Sequence, residues 1–276
     1  MVADAQTIKQ LAETAHRLRQ TVLDQVFKVQ SGHIGGSFSA AEILVTLYGQ
    51  VLNVDAQNPH WPDRDRLVLA KGHAAPALYF VLAERGFFPK ETLATLRHMD
   101  SILQGHPDMK KTPGVDMSTG SLGQGLSAAI GMALAARLDN RSYRTWAILG
   151  DGELDEGQNW EAAAYAAAHH LENLTAIVDW NRVQLDGTTE EILPMGPLPE
   201  KWRAFGWEVI ECDGHDVAAL LEAYAKAMAV KGRPTVILAH TVKGKGVSFM
   251  ENLAAWHGAP PNAEQYAKAA AELGRA

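Results

Sequence analysis

The sequence holds a single cysteine, Cys212, so no internal disulfide can staple the fold. It has no run of lysines and arginines and no basic stripe. Its 25 basic residues stand against 32 acidic ones, a formal charge of −7, which argues against nucleic acid as a partner. No stretch approaches the roughly 18 apolar residues of a membrane-spanning helix, and residues 1–10 are polar, without the apolar centre of a signal peptide. Nor is there an internal repeat, or a linker rich in proline, glycine and serine that would separate domains. These absences leave a soluble, cytoplasmic protein with one domain over residues 1–276, and 47% hydrophobic residues to fill its core.

What is present alternates between two periods. Leu11, Ala15, Leu18, Val22 and Val26 recur at helical spacing and predict a helix over 7–29. A second helical run opens at Ser39, with Glu42 three residues on, the pattern of a capping box. Short apolar runs at 146–149, 174–178, 207–210 and 235–239 predict strands. Between and beyond them, helical patterns occupy 122–138, 159–170, 217–230 and 261–273, the third with Asp216 as N-cap. The small-residue run 162–168 suits a helix packed closely on a sheet or a partner. Apolar strands separated by helices of this length predict an α/β fold, a doubly wound and mostly parallel sheet flanked by helices.

Ligands of such sheets collect at the carboxyl ends of the strands. Two predicted ends carry oxygen-rich words: Gly150-Asp151-Gly152-Glu153 and Asp179-Trp180-Asn181-Arg182-Val183. Asp151 and Asn181 are 30 positions apart, one strand–helix–strand step, so neighbouring strands can bring them together. A hard cation such as Mg²⁺, or Ca²⁺ or Mn²⁺ in its place, takes oxygen ligands and keeps phosphate oxygens in its shell. Asp151 offers a carboxylate, Asn181 an amide oxygen and Val183 a main-chain carbonyl, while Gly152 lets the backbone approach a diphosphate. Alone, Gly-Asp-Gly reads equally as a turn; with the strand, the helix and the asparagine it reads as a metal–diphosphate site. A dinucleotide site is the weaker reading. The word lacks the third glycine of that fingerprint, and no apolar strand precedes the glycine-rich 120–125.

Taken with further words in order, these residues resemble the N-terminal section of the transketolase family. The words are Ser31-Gly32-His33, Lys71-Gly72-His73-Ala74, Gly105-His106-Pro107, residues 119–125, Lys243-Gly244-Lys245-Gly246 and Trp256-His257-Gly258. The resemblance runs from about residue 10 to 262. It implies the diphosphate-binding domain of the thiamine-diphosphate fold, with that cofactor and a divalent metal bound. It also implies transfer of a two-carbon ketol unit from a ketose phosphate to an aldose, through a carbanion stored on the cofactor. By this resemblance His33 and His257 flank the hydroxyl deprotonated as the donor bond breaks, and His106 holds the hydroxyl end of the two-carbon unit. His73 lies near the cofactor and the developing oxyanion. Gly120, Ser121, Leu122, Gly152, Glu153, Asn181, Lys243, His73 and His257 contact the cofactor, and Glu156 links active sites through hydrogen bonds. Singly, each histidine also reads as structural, Lys243 as a solvated loop lysine and Glu156 as an exposed acid. Imidazole nonetheless suits proton transfer near neutral pH.

The same resemblance implies a missing half. Transketolases are about twice this length, and nothing here resembles their pyrimidine-binding domain. The expectation is a split enzyme, in which a C-terminal transketolase subunit supplies that half in an α2β2 assembly acting on sugar phosphates. Two positions depart from the family pattern: Ile34 stands where proline is usual, predicting a more mobile loop or a reshaped pocket floor. Bulky Trp180 precedes Asn181. Either suits an unusual sugar. One competing reading is a component of a 2-oxo-acid dehydrogenase or deoxyxylulose-phosphate synthase, against which the four histidine words and residues 157–162 argue. Another is a silent partner-binding paralogue.

Overall fold

The helix predicted from the spacing of Leu11 to Val26 is α1 (Ala5–Val29), and Asp4 caps it by accepting the Thr7 N–H at 2.7 Å. The computed structural model describes residues 3–274; Met1, Val2, Arg275 and Ala276, the ends of the predicted domain, lie outside the described residues. Five strands follow in a parallel sheet: β1 (Arg66–Leu69), β2 (Thr145–Gly150), β3 (Leu174–Trp180), β4 (Glu208–Asp213) and β5 (Thr235–His240). Their order across the sheet is β1-β2-β3-β5-β4. The doubly wound parallel sheet predicted from the sequence is therefore present, with β1 added to the four predicted strands. Its four-residue run Arg66-Leu67-Val68-Leu69 is too short to stand out by periodicity.

Period-two alternation divides the strands between two cores. Trp146, Ile148, Ile177 and Ile237 face one way, where they pack with α1, α2 (Ile34–Ser39), α3 (Ala41–Thr46), α4 (Ala75–Glu84), α9 (Val217–Ala229) and α10 (Ala263–Glu272). Ala147, Leu149, Val178, Val236 and Leu238 face the other way, against α5 (Gln124–Leu138), α6 (Gly157–Ala168) and α8 (Leu198–Ala204). Between β3 and α8 lies a single capped turn, α7 (Thr189–Ile192). In α6 the small residues Ala162, Ala163 and Ala166 are buried against this second face, as that run predicted. Helix α5 packs closely as well: a Cβ on Gly125 would lie 2.3 Å from Ala70 Cβ, so only glycine fits there.

One expectation is corrected. Ser39 and Glu42 do not form a capping box, because α3 starts at Ala41 with no side-chain cap. Both side chains have stronger partners. Ser39 donates to Asp179 at 2.6 Å, and Glu42 takes both Arg19 terminal nitrogens at 2.6 Å and His215 Nδ1 at 2.9 Å. Ile34, expected to loosen its loop or reshape the pocket floor, is fully buried in the first core at the start of α2, where an apolar side chain fills space. No helix among the described residues is long and apolar enough to cross a membrane.

Candidate active site

Parallel pairing sets Gly150 beside Asp179, so β2 and β3 end level, and the words that follow them turn into one cavity. Its volume is 130 Å³, with Asp151, Glu153, Asn181, Lys243, His73 and Leu122 among the lining residues. Asp151 begins a 3-10 turn and accepts the Gly152 N–H at 2.9 Å on one oxygen; the other takes the Arg182 N–H. Arg182 can aim that N–H because its backbone is left-handed, φ 65°. The Asn181 amide oxygen accepts the Val183 N–H at 3.1 Å. Asp151 is 5% exposed and Asn181 6%, so both are interior groups and not loop decoration.

Lys243 is 2% exposed, which disposes of the solvated-lysine reading. Its ammonium donates to the Val183 carbonyl at 2.8 Å and meets His257 Nδ1 at 2.7 Å. A relay across the core places it: Arg19 holds Glu42, Glu42 holds His215, and His215 Nε2 accepts the Val242 N–H at 2.8 Å. Burial opposes ionisation of Glu42, but the bonds from His215 and Arg19 outweigh it and bring the carboxyl down to about 2. His215 is structural, as its sequence context suggested.

Two residues that the sequence words contained but did not single out lie under this floor. Lys71 and Asp179 form a fully buried ion pair, and Asp179 also accepts from the hydroxyls of Ser39 and Thr241. Burial alone would raise the Asp179 carboxyl; Lys71 and the two hydroxyls hold it below its usual range. Lys71 also donates to the Gly36 carbonyl at 3.0 Å, and Gly36 in turn leaves room for His73. Nothing in the sequence marked this pair, because its members are 108 positions apart.

The acids facing the cavity are pushed toward neutrality. Burial, with the Asp179 charge next, pushes Asp151 up to about 7. Burial pushes Glu153 up to about 7 as well, although it accepts the Gly123 and Gly150 N–H groups, each at 3.0 Å. Glu153 thereby ties the end of β2 to the loop carrying Leu122. Burial, with Lys71 second, brings Lys243 down to about 8. A desolvated carboxylate beside an amide oxygen and a main-chain carbonyl is a donor set suited to a hard cation, whose charge would hold the acid ionised. No group of three or more His, Cys, Asp or Glu among the described residues is placed to hold a metal ion on its own.

The four histidines converge, although their words are spread over more than 200 positions. Ring centroids are 5.2 Å apart for His33 and His73, 5.4 Å for His33 and His257, 4.8 Å for His73 and His257, and 6.2 Å for His33 and His106. Burial leads in depressing all four: His33 to about 4, His257 to about 3, His73 well below its ordinary value and His106 more mildly. Burial thus favours the neutral imidazole in all four, the form that accepts protons and hydroxyl donors. Of the remaining expected residues, Gly120 underlies His106, where a Cβ would lie 2.7 Å from the ring, and Ser121 is exposed next to it. Glu156 is exposed and packs over Gly123, outside the cavity. Trp180 stacks on His240 at 4.6 Å and under the Arg182 guanidinium at 4.9 Å, in a neighbouring groove of 550 Å³ that Asp151 also reaches.

The family model described as "Transketolase, thiamine diphosphate binding domain" matches residues 10–276. The chain belongs to the transketolase family. It is 48% identical over 263 residues to the 6-deoxy-6-sulfo-D-fructose transketolase subunit of Clostridium sp. strain MSTE9, covering 95% of this chain and 96% of that one. It is 40% identical to an apulose-4-phosphate transketolase subunit of Phocaeicola vulgatus, over 96% of this chain and 94% of the relative. Against the transketolase of Homo sapiens it is 43% identical over 93% of its own length, but over only 41% of the human chain. The structure of transketolase from Leishmania mexicana superposes with a TM-score of 0.91 at 34% identity, over 96% of this chain and 41% of that chain. The chain thus spans nearly all of the two bacterial transketolase subunits and about two fifths of the longer transketolases.

Proposed function

We propose that this chain is the diphosphate-binding subunit of a split, thiamine-diphosphate-dependent transketolase. It forms one domain, and a C-terminal transketolase subunit, in an α2β2 assembly, supplies the pyrimidine-binding half. The observation that carries the reading is the meeting of four neutral imidazoles beside Asp151, Asn181 and Lys243 at the ends of β2 and β3. Relatives of this same length, named as transketolase subunits, support the split.

In this reading Asp151, Asn181 and the Val183 carbonyl would hold Mg²⁺, Gly152, Lys243 and His73 would bind the diphosphate, and Leu122 would line the ring system. Thiamine diphosphate, when bound, supplies an electron sink for cleaving the carbon–carbon bond beside a ketone. This chain's own residues do the rest. His33 and His257 accept the hydroxyl proton as the donor bond breaks and return it to the acceptor aldehyde; His106 orients the hydroxyl end of the two-carbon unit. Lys243, donating to Val183 O and meeting His257, holds the latter ring in place. Glu156, exposed in this chain, would link active sites through hydrogen bonds in the assembly. The donor is a ketose with an anionic terminus, the chemistry common to the substrates in the names of the two bacterial relatives. A cytoplasmic setting accords with Cys212 being a free thiol.

The test is calorimetric titration of thiamine diphosphate and Mg²⁺ into this chain with its candidate partner, followed by a ketol-transfer assay. Binding abolished by Asp151→Ala, with turnover only when both subunits are present, is the expected result. Full turnover by this chain alone would overturn the split, and release of carbon dioxide would favour a 2-oxo-acid enzyme instead.

A further inference from the structure

No word in the sequence marks Arg97. It follows a 3-10 turn, with a left-handed backbone, φ 61°, unusual for a residue with a side chain. Its N–H donates to the Leu103 carbonyl at 2.8 Å, which closes the loop leading to His106. The guanidinium lies over Gly105: a Cβ there would be 2.8 Å from Cζ and 2.9 and 3.0 Å from the two terminal nitrogens. The glycine of the Gly105-His106-Pro107 word is thus explained by Arg97, since any other side chain would displace the guanidinium.

What singles Arg97 out is its lack of a partner. The interior cations Arg19, Arg64 and Lys71 each hold a carboxylate, Glu42, Asp116 and Asp179 respectively. Arg97 has no ion pair and no side-chain hydrogen bond among the described residues, and its Nε is buried without an acceptor. Two other buried polar atoms nearby are equally without partners, His33 Nδ1 and Thr119 Oγ1, the latter one residue before the glycine that underlies His106. Arg97 is half-buried as a whole, but a buried donor left without an acceptor is costly, so its Nε and the unpartnered atoms of His33 and Thr119 point to a polar ligand that completes them. The guanidinium offers five donors and no acceptor. Its charge, after burial, also helps to keep His33 and His106 unprotonated, so these rings accept where Arg97 donates. A ligand that satisfies both must carry hydroxyls or carbonyl oxygens at close spacing, which is the chemistry of a ketose.

We propose that Arg97 is a substrate-binding residue, whose guanidinium donates to oxygens of the donor sugar at the end oriented by His106, and that Gly105 exists to let it lie there. The inference rests on the ketol-transfer reading above. Tests use Arg97→Met, Arg97→Lys and Gly105→Ala in the complete two-subunit enzyme, with three readouts: cofactor affinity, partner affinity, and kcat/KM for donor and for acceptor separately. Loss of a charge-assisted bond predicts a fall of about ten- to a hundredfold in donor kcat/KM for Arg97→Met. Arg97→Lys should recover some of the loss, and Gly105→Ala should mimic the methionine variant. Cofactor and partner affinities should stay within about twofold of wild type. Donor kcat/KM unchanged in Arg97→Met would overturn the proposal. So would a loss explained by weaker partner binding, which would make Arg97 an interface contact, or by weaker cofactor binding, which would make it structural. If the wild-type enzyme binds cofactor and partner yet turns over no ketose, the ketol-transfer reading itself has failed, and this inference falls with it.

Discussion

Replacing Lys71 by methionine should destabilise the protein more than any exposed substitution would. Methionine keeps most of the side-chain volume, so the change isolates the charge. Asp179, with no exposure, would keep its bonds from Ser39 and Thr241 but lose the ammonium that compensates burial. Removing one partner of a buried pair costs about 3–5 kcal/mol, because the other charge remains desolvated. The hydroxyls place this case toward the lower end, about 3 kcal/mol, or roughly a 6–12 °C fall in Tm for a chain of this size. The assay is urea unfolding followed by far-ultraviolet circular dichroism, with the slope compared between variants so that altered compactness is not read as altered stability. The double variant Lys71→Met with Asp179→Asn, which removes both charges, should regain most of the loss. A single variant within about 1 kcal/mol of wild type, or a double variant no better than the single, would refute the reasoning.

Under the proposed function, binding of the cofactor with its metal should weaken as pH falls, since protons compete at Asp151 and Glu153, both pushed up to about 7; from pH 8 to 6 the loss is about tenfold for each acid that must ionise. Calorimetry in two buffers should show proton release at pH 7, and its absence would sink the idea. Without ligand, acids raised in the folded state contribute stability at low pH that is lost as pH climbs from their ordinary values, about 4, to about 7. His33 and His257, depressed to about 4 and 3, act oppositely, their contribution being lost as pH falls from 6.5. Asp151→Asn isolates one acid from these offsetting groups, so the variant should gain on wild type in thermal melts as pH rises from 4 to 7. A constant difference across that range would contradict the raised carboxyl. Gly125→Ala should cost about 1–3 kcal/mol, or prevent folding, by driving a methyl into Ala70 where α5 meets the end of β1; a neutral result by denaturant titration would refute that packing.

Much of this protein was legible in the sequence because it is local. The apolar runs that became β2 to β5, the Asp216 cap on α9 and the strand–helix–strand step between Asp151 and Asn181 depend on neighbours within about one element. The histidine words stood out through their resemblance to the transketolase family, and the fold brings their four rings together. Tertiary structure decided what depends on distant partners. Ser39 and Glu42 carry the letters of a capping box, but Asp179 and Arg19 offer them stronger, buried partners. Lys243 reads in the sequence either as a cofactor contact or as a solvated loop lysine, and only its burial in the fold removes the second reading. Lys71 stood inside a family word without being singled out, and Arg97 had no local signature at all. A buried charge is defined by the carboxylate it finds, or fails to find, across the fold, and no window along the chain contains that information.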